Sequence, residues 1–300
     1  MKKRELKLKD KVIVVTGAAG GIGSAVAHLF AEEGAVLVLS DIQEGKLEEL
    51  NRTLKDSGNE VMVQTHDVTD PESWRRLMEK ILDEFGRIDV LINNAGVVQP
   101  GAAENISIKH IRNQVEVNFL GTVYGCRAAL RIMRAQNSGK IINVASLGGI
   151  VPMPGEAVYS ATKHAIRGYS LSLFAELLDD PIDITVVCPD SVETSQLDYE
   201  LLHDEAVLSF IGEPMKPEMV AQAILSASLK NKPEKLVPTL MGVFCRTGMA
   251  FPRIFFFLFP FLKKIGLRTM IKKRKEEKDD KHLLLNINMS DSKASKADRY

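Results

Sequence analysis

From residue 12 to about residue 238 the chain alternates short, almost wholly apolar runs with longer segments in which apolar positions recur every three or four residues. Short apolar runs bounded by turn residues read as buried strands, and the longer 3.6-period segments read as helices that cover them. Seven strands are expected, at Val12–Thr16, Val36–Ser40, Val61–His66, Val90–Asn93, Lys140–Ala145, Asp183–Cys188 and Lys235–Pro238. Helical patterns of about a dozen residues or more separate them, long enough for the crossovers that parallel strands require. A long helical pattern spans 104–135, softened near Gly121 and Gly125, and another spans 156–179. The fold class that follows is α/β: one doubly wound domain with a seven-stranded parallel sheet and helices on both faces.

After Pro238 the pattern changes, which divides the chain into a catalytic domain at 1–240, a Phe-rich and then basic extension at 241–281, and a Ser/Lys/Asp-rich tail at 282–300 expected to be disordered. The run from Phe251 to Leu262 holds six of the chain's 12 Phe, and Lys263, Lys264, Arg268, Lys272, Lys273, Arg274 and Lys275 follow it. Two prolines and Arg253 make the run too short and too interrupted to cross a bilayer. Aromatics beside basic residues suit a membrane surface, so 247–275 is expected to bind one without spanning it. The competing expectation folds these Phe residues over the substrate cleft or between subunits.

The remaining composition excludes more than it assigns. Lys plus Arg and Asp plus Glu are each 39, so no global field recruits nucleic acid. Cys126, Cys188 and Cys245 lie far apart without metal-ligand spacing. That argues for a reducing compartment, for small buried side chains and against a metal centre. The N-terminus lacks an apolar secretory core. The expected location is cytoplasmic, peripheral on a membrane if the extension binds one.

Chemistry concentrates at a few turns. Thr16-Gly17-Ala18-Ala19-Gly20-Gly21-Ile22-Gly23 sits between the first strand and a helix, where Gly17 can turn tightly, Gly21 can admit phosphate oxygens to backbone N–H groups, and Gly23 can let helix and strand approach. A plain strand-to-helix turn is the alternative. Asp41, about twenty residues on at the end of the second strand, is placed to accept both hydroxyls of an adenosine ribose. No Arg or Lys occurs in the glycine loop or in Ser40–Gly45, so NAD is favoured over NADP; a helix-capping role for Asp41 remains open. Tyr159 and Lys163 stand four apart, hence on one helical face, and Ser146 ends a strand just before them. An ammonium beside a phenol favours the phenolate. Tyr159 could then exchange a proton with an alcohol or carbonyl while Ser146 holds its oxygen, unless Tyr159 and Lys163 are an ordinary surface pair.

Taken together, Thr16-Gly17-x-x-x-Gly21-x-Gly23, Asp67-Val68, Asn93-Asn94-Ala95-Gly96, Asn118, Ser146 and Tyr159-x-x-x-Lys163 resemble the short-chain dehydrogenase/reductase family over about residues 8–238. The resemblance implies a single-domain Rossmann fold that binds a nicotinamide cofactor. It implies that Asp67 and the Val68 backbone meet adenine, that Asn94 braces the sheet, and that Asn118 holds a water linking Lys163 to solvent. Lys163 would also bind the nicotinamide ribose, Val192 and Thr194 the carboxamide, and the long helices would form a homodimer or homotetramer. Each of these residues has a bland reading too: Asp67 as a cap, Asn93–Gly96 as a turn, Asn118 as a polar helix residue. Where the family has Pro-Gly this chain has Pro189-Asp190, which puts substrate fit at that point in question. Residues 195–212 are expected to form a lid made apolar by Leu197, Tyr199, Leu201, Leu202, Val207, Leu208, Phe210 and Ile211. The function expected is NAD(H)-linked interconversion of a lipophilic secondary alcohol and its ketone, such as a steroid, retinoid or long-chain acyl derivative, a role in lipid metabolism. The alternatives are an NADPH-dependent 3-oxoacyl thioester reductase and a non-catalytic cofactor-binding scaffold.

Overall fold

The computed structural model describes residues 7–297, with side chains through residue 276 except at position 254. In chain order the elements begin β1 (Val12–Thr16), α1 (Gly21–Glu32), β2 (Val36–Asp41), α2 (Glu44–Asp56), β3 (Val61–Thr65), α3 (Pro71–Phe85) and β4 (Val90–Asn93). They continue with α4 (Ile108–Gln114), α5 (Gly121–Gln136), β5 (Gly139–Val144), α6 (Ala157–Glu176), β6 (Ile182–Pro189) and α7 (Ser195–Leu201). The last are α8 (Pro217–Ser228), β7 (Glu234–Val237), α9 (Thr239–Ala250) and α10 (Pro252–Ala297). All seven expected strands are present, with ends displaced by no more than one residue. The tail expected at 282–300 lies outside the residues whose side chains are described.

The sheet is wholly parallel in the order β3-β2-β1-β4-β5-β6-β7. The uninterrupted apolar run of β1 has a direct cause: Ile13 and Val15 point into the core beneath α1, α2 and α8, while Val12 and Val14 point into the core beneath α3, α5 and α6. A strand buried on both faces has no place for polar alternation. Because β1 lies between β2 and β4, the chain leaves it in opposite directions, and the crevice at the carboxyl ends of β1 and β4 is where such sheets take ligands.

Local signals fix the helices. Asp70 caps α3 by accepting from the Glu72 N–H at 2.9 Å, Pro71 occupies its first turn, and Gly86 ends it at φ 70°. Around Gly121 and Gly125 the structure departs from the expected softening: one helical rod runs from Ile108 to Gln136, and its irregularity is a π-helical stretch earlier, at Val115–Leu120. Those two glycines serve contact instead. A Cβ at 121 would lie 2.8 Å from Val68 Cγ2, and one at 125 would lie 2.7 Å from the buried Trp74 ring. Beyond β7, Gly242 of α9 packs on Leu236, and α10 lies on the lid with Met270 fully buried against Leu197, Leu201, Ala206, Val207 and Phe210.

Candidate active site

One large cavity, of about 650 Å³, opens at that crevice and extends beneath the lid. At its first end β1 delivers Gly17 in the left-handed region at φ +64°, where a Cβ would also sit 2.8 Å from Ala95 Cα. Helix α1 begins at Gly21 without a side-chain cap or an acidic residue in its first turn, leaving its N–H groups to a ligand. A Cβ on Gly23 would come 2.2 Å from the Gly17 carbonyl, so the turn closes only with glycine there. Asn94 ties the two strand ends across the switch point: its Nδ2 donates to the Thr16 and Gly17 carbonyls at 3.0 and 3.1 Å, and the Asn94 and Ala95 N–H groups donate to Thr16 Oγ1.

Asp41 is held over this loop. Its Oδ2 accepts from the Ala19 N–H at 3.0 Å and its Oδ1 from the Gln43 N–H at 2.9 Å; the cap of α2 is Gln43, so the capping alternative does not describe Asp41. Among the described residues the single Lys or Arg lining the cavity is Lys163, far along the chain from this carboxylate. Asp67, Val68 and Ile22 line the cavity as well, and Gly96 lines it close to Lys163 and Asn118. Asp67 Oδ1 also accepts from the Thr69 N–H and hydroxyl, at 2.9 and 2.8 Å, so its local turn-forming role is present as well. His66 was not anticipated. It is buried edge-on to Trp74 with Nδ1 2.7 Å from Ser73 Oγ, and burial lowers its pKa to about 4, which keeps it neutral. A glycine cradle, free helix N–H groups and a carboxylate twenty-odd residues on fit a dinucleotide.

At the second end, β5 carries Ser146 just past its terminus and α6 presents Tyr159 and Lys163. Ser146 and Gln196 of α7 stand near the Tyr159 hydroxyl and favour its ionised form. Lys163 Nζ lies 5.6 Å from the Tyr159 ring centroid and donates to the Val144 carbonyl at 3.1 Å; burial lowers its pKa to about 8. Burial pushes the Tyr159 pKa up and repulsion from Glu200 and Glu156 pushes it further, while Ser146 and Gln196 offset part of the rise. Tyr159 therefore holds its proton at neutral pH. Asn118, fully buried in the π-helical stretch, donates to the Val97 carbonyl and Thr162 Oγ1 and accepts from the Val97 N–H. The amide is thus spent on bracing the loop after β4 against α6.

Val192 and Thr194 line the cavity between these ends, with the Thr194 methyl 2.6 Å from where a Gly21 Cβ would stand. The carboxylate of Asp190 turns onto its own backbone, Oδ1 accepting from the Ser191 N–H at 2.9 Å. The lid is less apolar toward the cavity than its composition suggests: Leu197, Leu208 and Ile211 face it, Val207 and Phe210 are buried against α10, and Tyr199 and Leu202 are exposed. The apolar lining comes largely from elsewhere, from Val151 and Met153 and from Met241, Phe244, Phe255 and Leu262 of the extension. Gln196, Glu200 and Ser209 were missed by sequence reasoning, although Gln196 and Glu200 stand four apart on α7 and so share a face.

Comparison with known proteins agrees with this geometry. A family model described as short chain dehydrogenase matches residues 11–205. An uncharacterized oxidoreductase of Staphylococcus saprophyticus is 38% identical over 76% of this chain and 93% of its own. The cis-4-hydroxycyclohexanecarboxylate dehydrogenase of Sinomonas cyclohexanicum is 36% identical over 72% of this chain and 88% of its own. A short-chain dehydrogenase/reductase from Burkholderia phymatum, solved in complex with NAD, superposes with a TM-score of 0.73 at 28% identity, covering 81% of this chain and 94% of that one.

Proposed function

The chain belongs to the short-chain dehydrogenase/reductase family and is an oxidoreductase, and from that premise we propose that it uses NAD(H) to interconvert a lipophilic secondary alcohol and its ketone. The observation that carries this reading is the placing of Tyr159 and Ser146 in a cavity that also holds Asp41 and, among the described residues, has no Lys or Arg in its lining but Lys163. Asp41 argues against the NADPH-dependent thioester reductase, and the complete Ser146, Tyr159 and Lys163 set argues against a scaffold without turnover.

When bound, the nicotinamide supplies the acceptor or donor of the hydride. The chain's residues do the rest. Ser146 and Tyr159 hold the reacting oxygen; Tyr159, a neutral phenol at rest, gives its proton to that oxygen as a ketone is reduced and takes one back as an alcohol is oxidised. Lys163, tied to the Val144 carbonyl beside Gly96, is proposed to bind the nicotinamide ribose and to attract the phenolate as it forms. Val192 and Thr194 are proposed to orient the carboxamide, and Asp67 and Val68 to meet adenine.

The extension supports the lipophilic half of the proposal. Phe255 and Leu262 of α10 face the cavity, whereas Phe256, Phe257 and Phe261 face outward at 51%, 84% and 64% exposure, near exposed Lys263, Lys264 and Arg268. Among the described residues no helix is long and apolar enough to cross a membrane. An aromatic and basic outer face on an element that walls the cavity suits docking on an anionic bilayer, with the substrate taken from it. Assembly as a homodimer or homotetramer through α5 and α6 belongs to the same reading. The test is a panel of hydroxylated lipids incubated with protein and NAD and followed by the absorbance of the reduced cofactor. Turnover of secondary alcohols is expected, and tight NAD binding without turnover of any member would overturn the proposal.

A further inference from the structure

The wall of the cavity beside Tyr159 carries two carboxyl groups that the proposed chemistry does not use. Glu200 of α7 lines the cavity and is 6% exposed; Glu156, just before α6, is 2% exposed. Their bonds are long: Gln196 Nε2 to Glu200 Oε1 at 3.5 Å, and Ser209 Oγ to Glu156 Oε2 at 3.5 Å. Glu156 Oε1 has no partner at all among the described residues. Among the described residues, Glu200 and Ser209 act on Glu156, Ser209 and Gln196 act on Glu200, and no Lys, Arg or His is among the groups that shift either carboxyl. Burial of a carboxylate is costly unless it is paired, and two neighbouring carboxyl groups resist ionising together, so the pair retains at least one proton at neutral pH. Both pKa values are raised accordingly, Glu200 to about 7. The two donors on this wall, Gln196 and Ser209, make only long bonds to the pair, and Glu200 lines the space a substrate would fill.

We propose that Glu200, backed by Glu156, is the specificity-determining residue of this site: it accepts a hydrogen bond from a second polar group of the substrate, an ammonium or hydroxyl set away from the reacting carbon. This rests on the reading of the site as an alcohol/ketone oxidoreductase. It narrows the substrate from merely lipophilic to lipophilic with a donor, best a cationic one, and it disfavours a substrate with a carboxylate at that position. A charge-assisted bond in a water-poor cavity discriminates by about tenfold or more, and an unpaired anion brought against Glu200 is rejected by a similar factor.

The experiment measures kcat/KM of the full chain with NAD at neutral pH on a matched series: 4-aminocyclohexanol, 1,4-cyclohexanediol, cyclohexanol and 4-hydroxycyclohexanecarboxylate, with the 3-substituted isomers. The expected order is ammonium, hydroxyl, unsubstituted, carboxylate, the spread residing mainly in KM. In Glu200→Gln the advantage of the ammonium and the penalty of the carboxylate should both shrink about tenfold relative to cyclohexanol in the same enzyme, and Glu156→Gln should retain the order more weakly. Turnover without this order in the wild type, or an order that survives in Glu200→Gln, overturns the role of Glu200. Should Glu200→Gln fail to fold, the wild-type order decides alone. Absence of turnover on every member while NAD still binds counts instead against the oxidoreductase reading beneath it.

Discussion

Replacing Met270 with Ala tests whether the C-terminal helix is part of the active site. Met270 is fully buried, and its neighbours Leu197, Leu201, Ala206, Val207 and Phe210 all belong to the lid. On the same helix Arg274 donates to the Leu201 carbonyl and Asp204 at 2.7 Å each, and Gly266 faces the Val207 carbonyl with no room for a Cβ. Truncating a buried Met to Ala costs about 2–5 kcal/mol when the surroundings cannot collapse. Here the loss falls on one docking contact rather than on the sheet, so it weakens lid closure and leaves the domain folded. At the low end, about 2 kcal/mol is roughly a thirtyfold shift in that equilibrium. The expected outcome is a KM for lipophilic substrate raised about tenfold or more, NAD affinity changed less than about threefold, and hydrogen exchange accelerated in 197–210 and 262–274 alone. An unchanged KM, or exchange accelerated across β1 to β5, would refute the assignment of α10 as the lid's support.

Asp41→Ala should weaken NAD about tenfold or more and bring NAD and NADP close to parity, since the carboxylate both accepts from the ribose and repels a 2′-phosphate; a wild-type preference for NADP in the same titration would reverse the assignment. Ser at Phe256, Phe257 and Phe261 together should release the protein from anionic vesicles in co-sedimentation, and high salt should do so in part; equal pelleting of the triple variant would remove the membrane docking face. For Glu200 the folded pKa of about 7 lies above the ordinary carboxylate value, so its contribution is present below about pH 4.5 and is lost as pH rises through 7. Urea unfolding should therefore show Glu200→Gln gaining on wild type, by up to about 3 kcal/mol, between about pH 5 and about pH 8; a pH-independent difference would mean that Glu200 is not buried as described.

The strands and the cofactor end were legible in the sequence because they depend on local features: an apolar run such as Val12–Val15 has no other stable home, and Gly17 and Gly23 sit where a Cβ would strike backbone. Asp41 was legible through its spacing from that turn. What escaped depends on contacts distant in sequence. Glu200 looks like one more polar residue of a short helix until the lid sets it near Glu156, and the rise in the Tyr159 pKa follows from burial and from those two carboxyl groups, which no spacing records. The Phe-rich run posed a choice between packing inward and facing outward, and its residues divide, Phe255 and Leu262 lining the cavity and Phe256, Phe257 and Phe261 exposed. The lid's apolar residues were similarly divided, because Met270 arrives from 60 or more residues downstream to bury Val207 and Phe210.

The central claim is that Tyr159 moves the proton in an NAD-linked hydride transfer, and Tyr159→Phe addresses it by deleting a single oxygen. Measured on a secondary alcohol that the wild type oxidises, with NAD affinity titrated in parallel, the variant should lose turnover by about a hundredfold or more while binding NAD within a few-fold of wild type. Turnover retained within a few-fold of wild type would contradict the account.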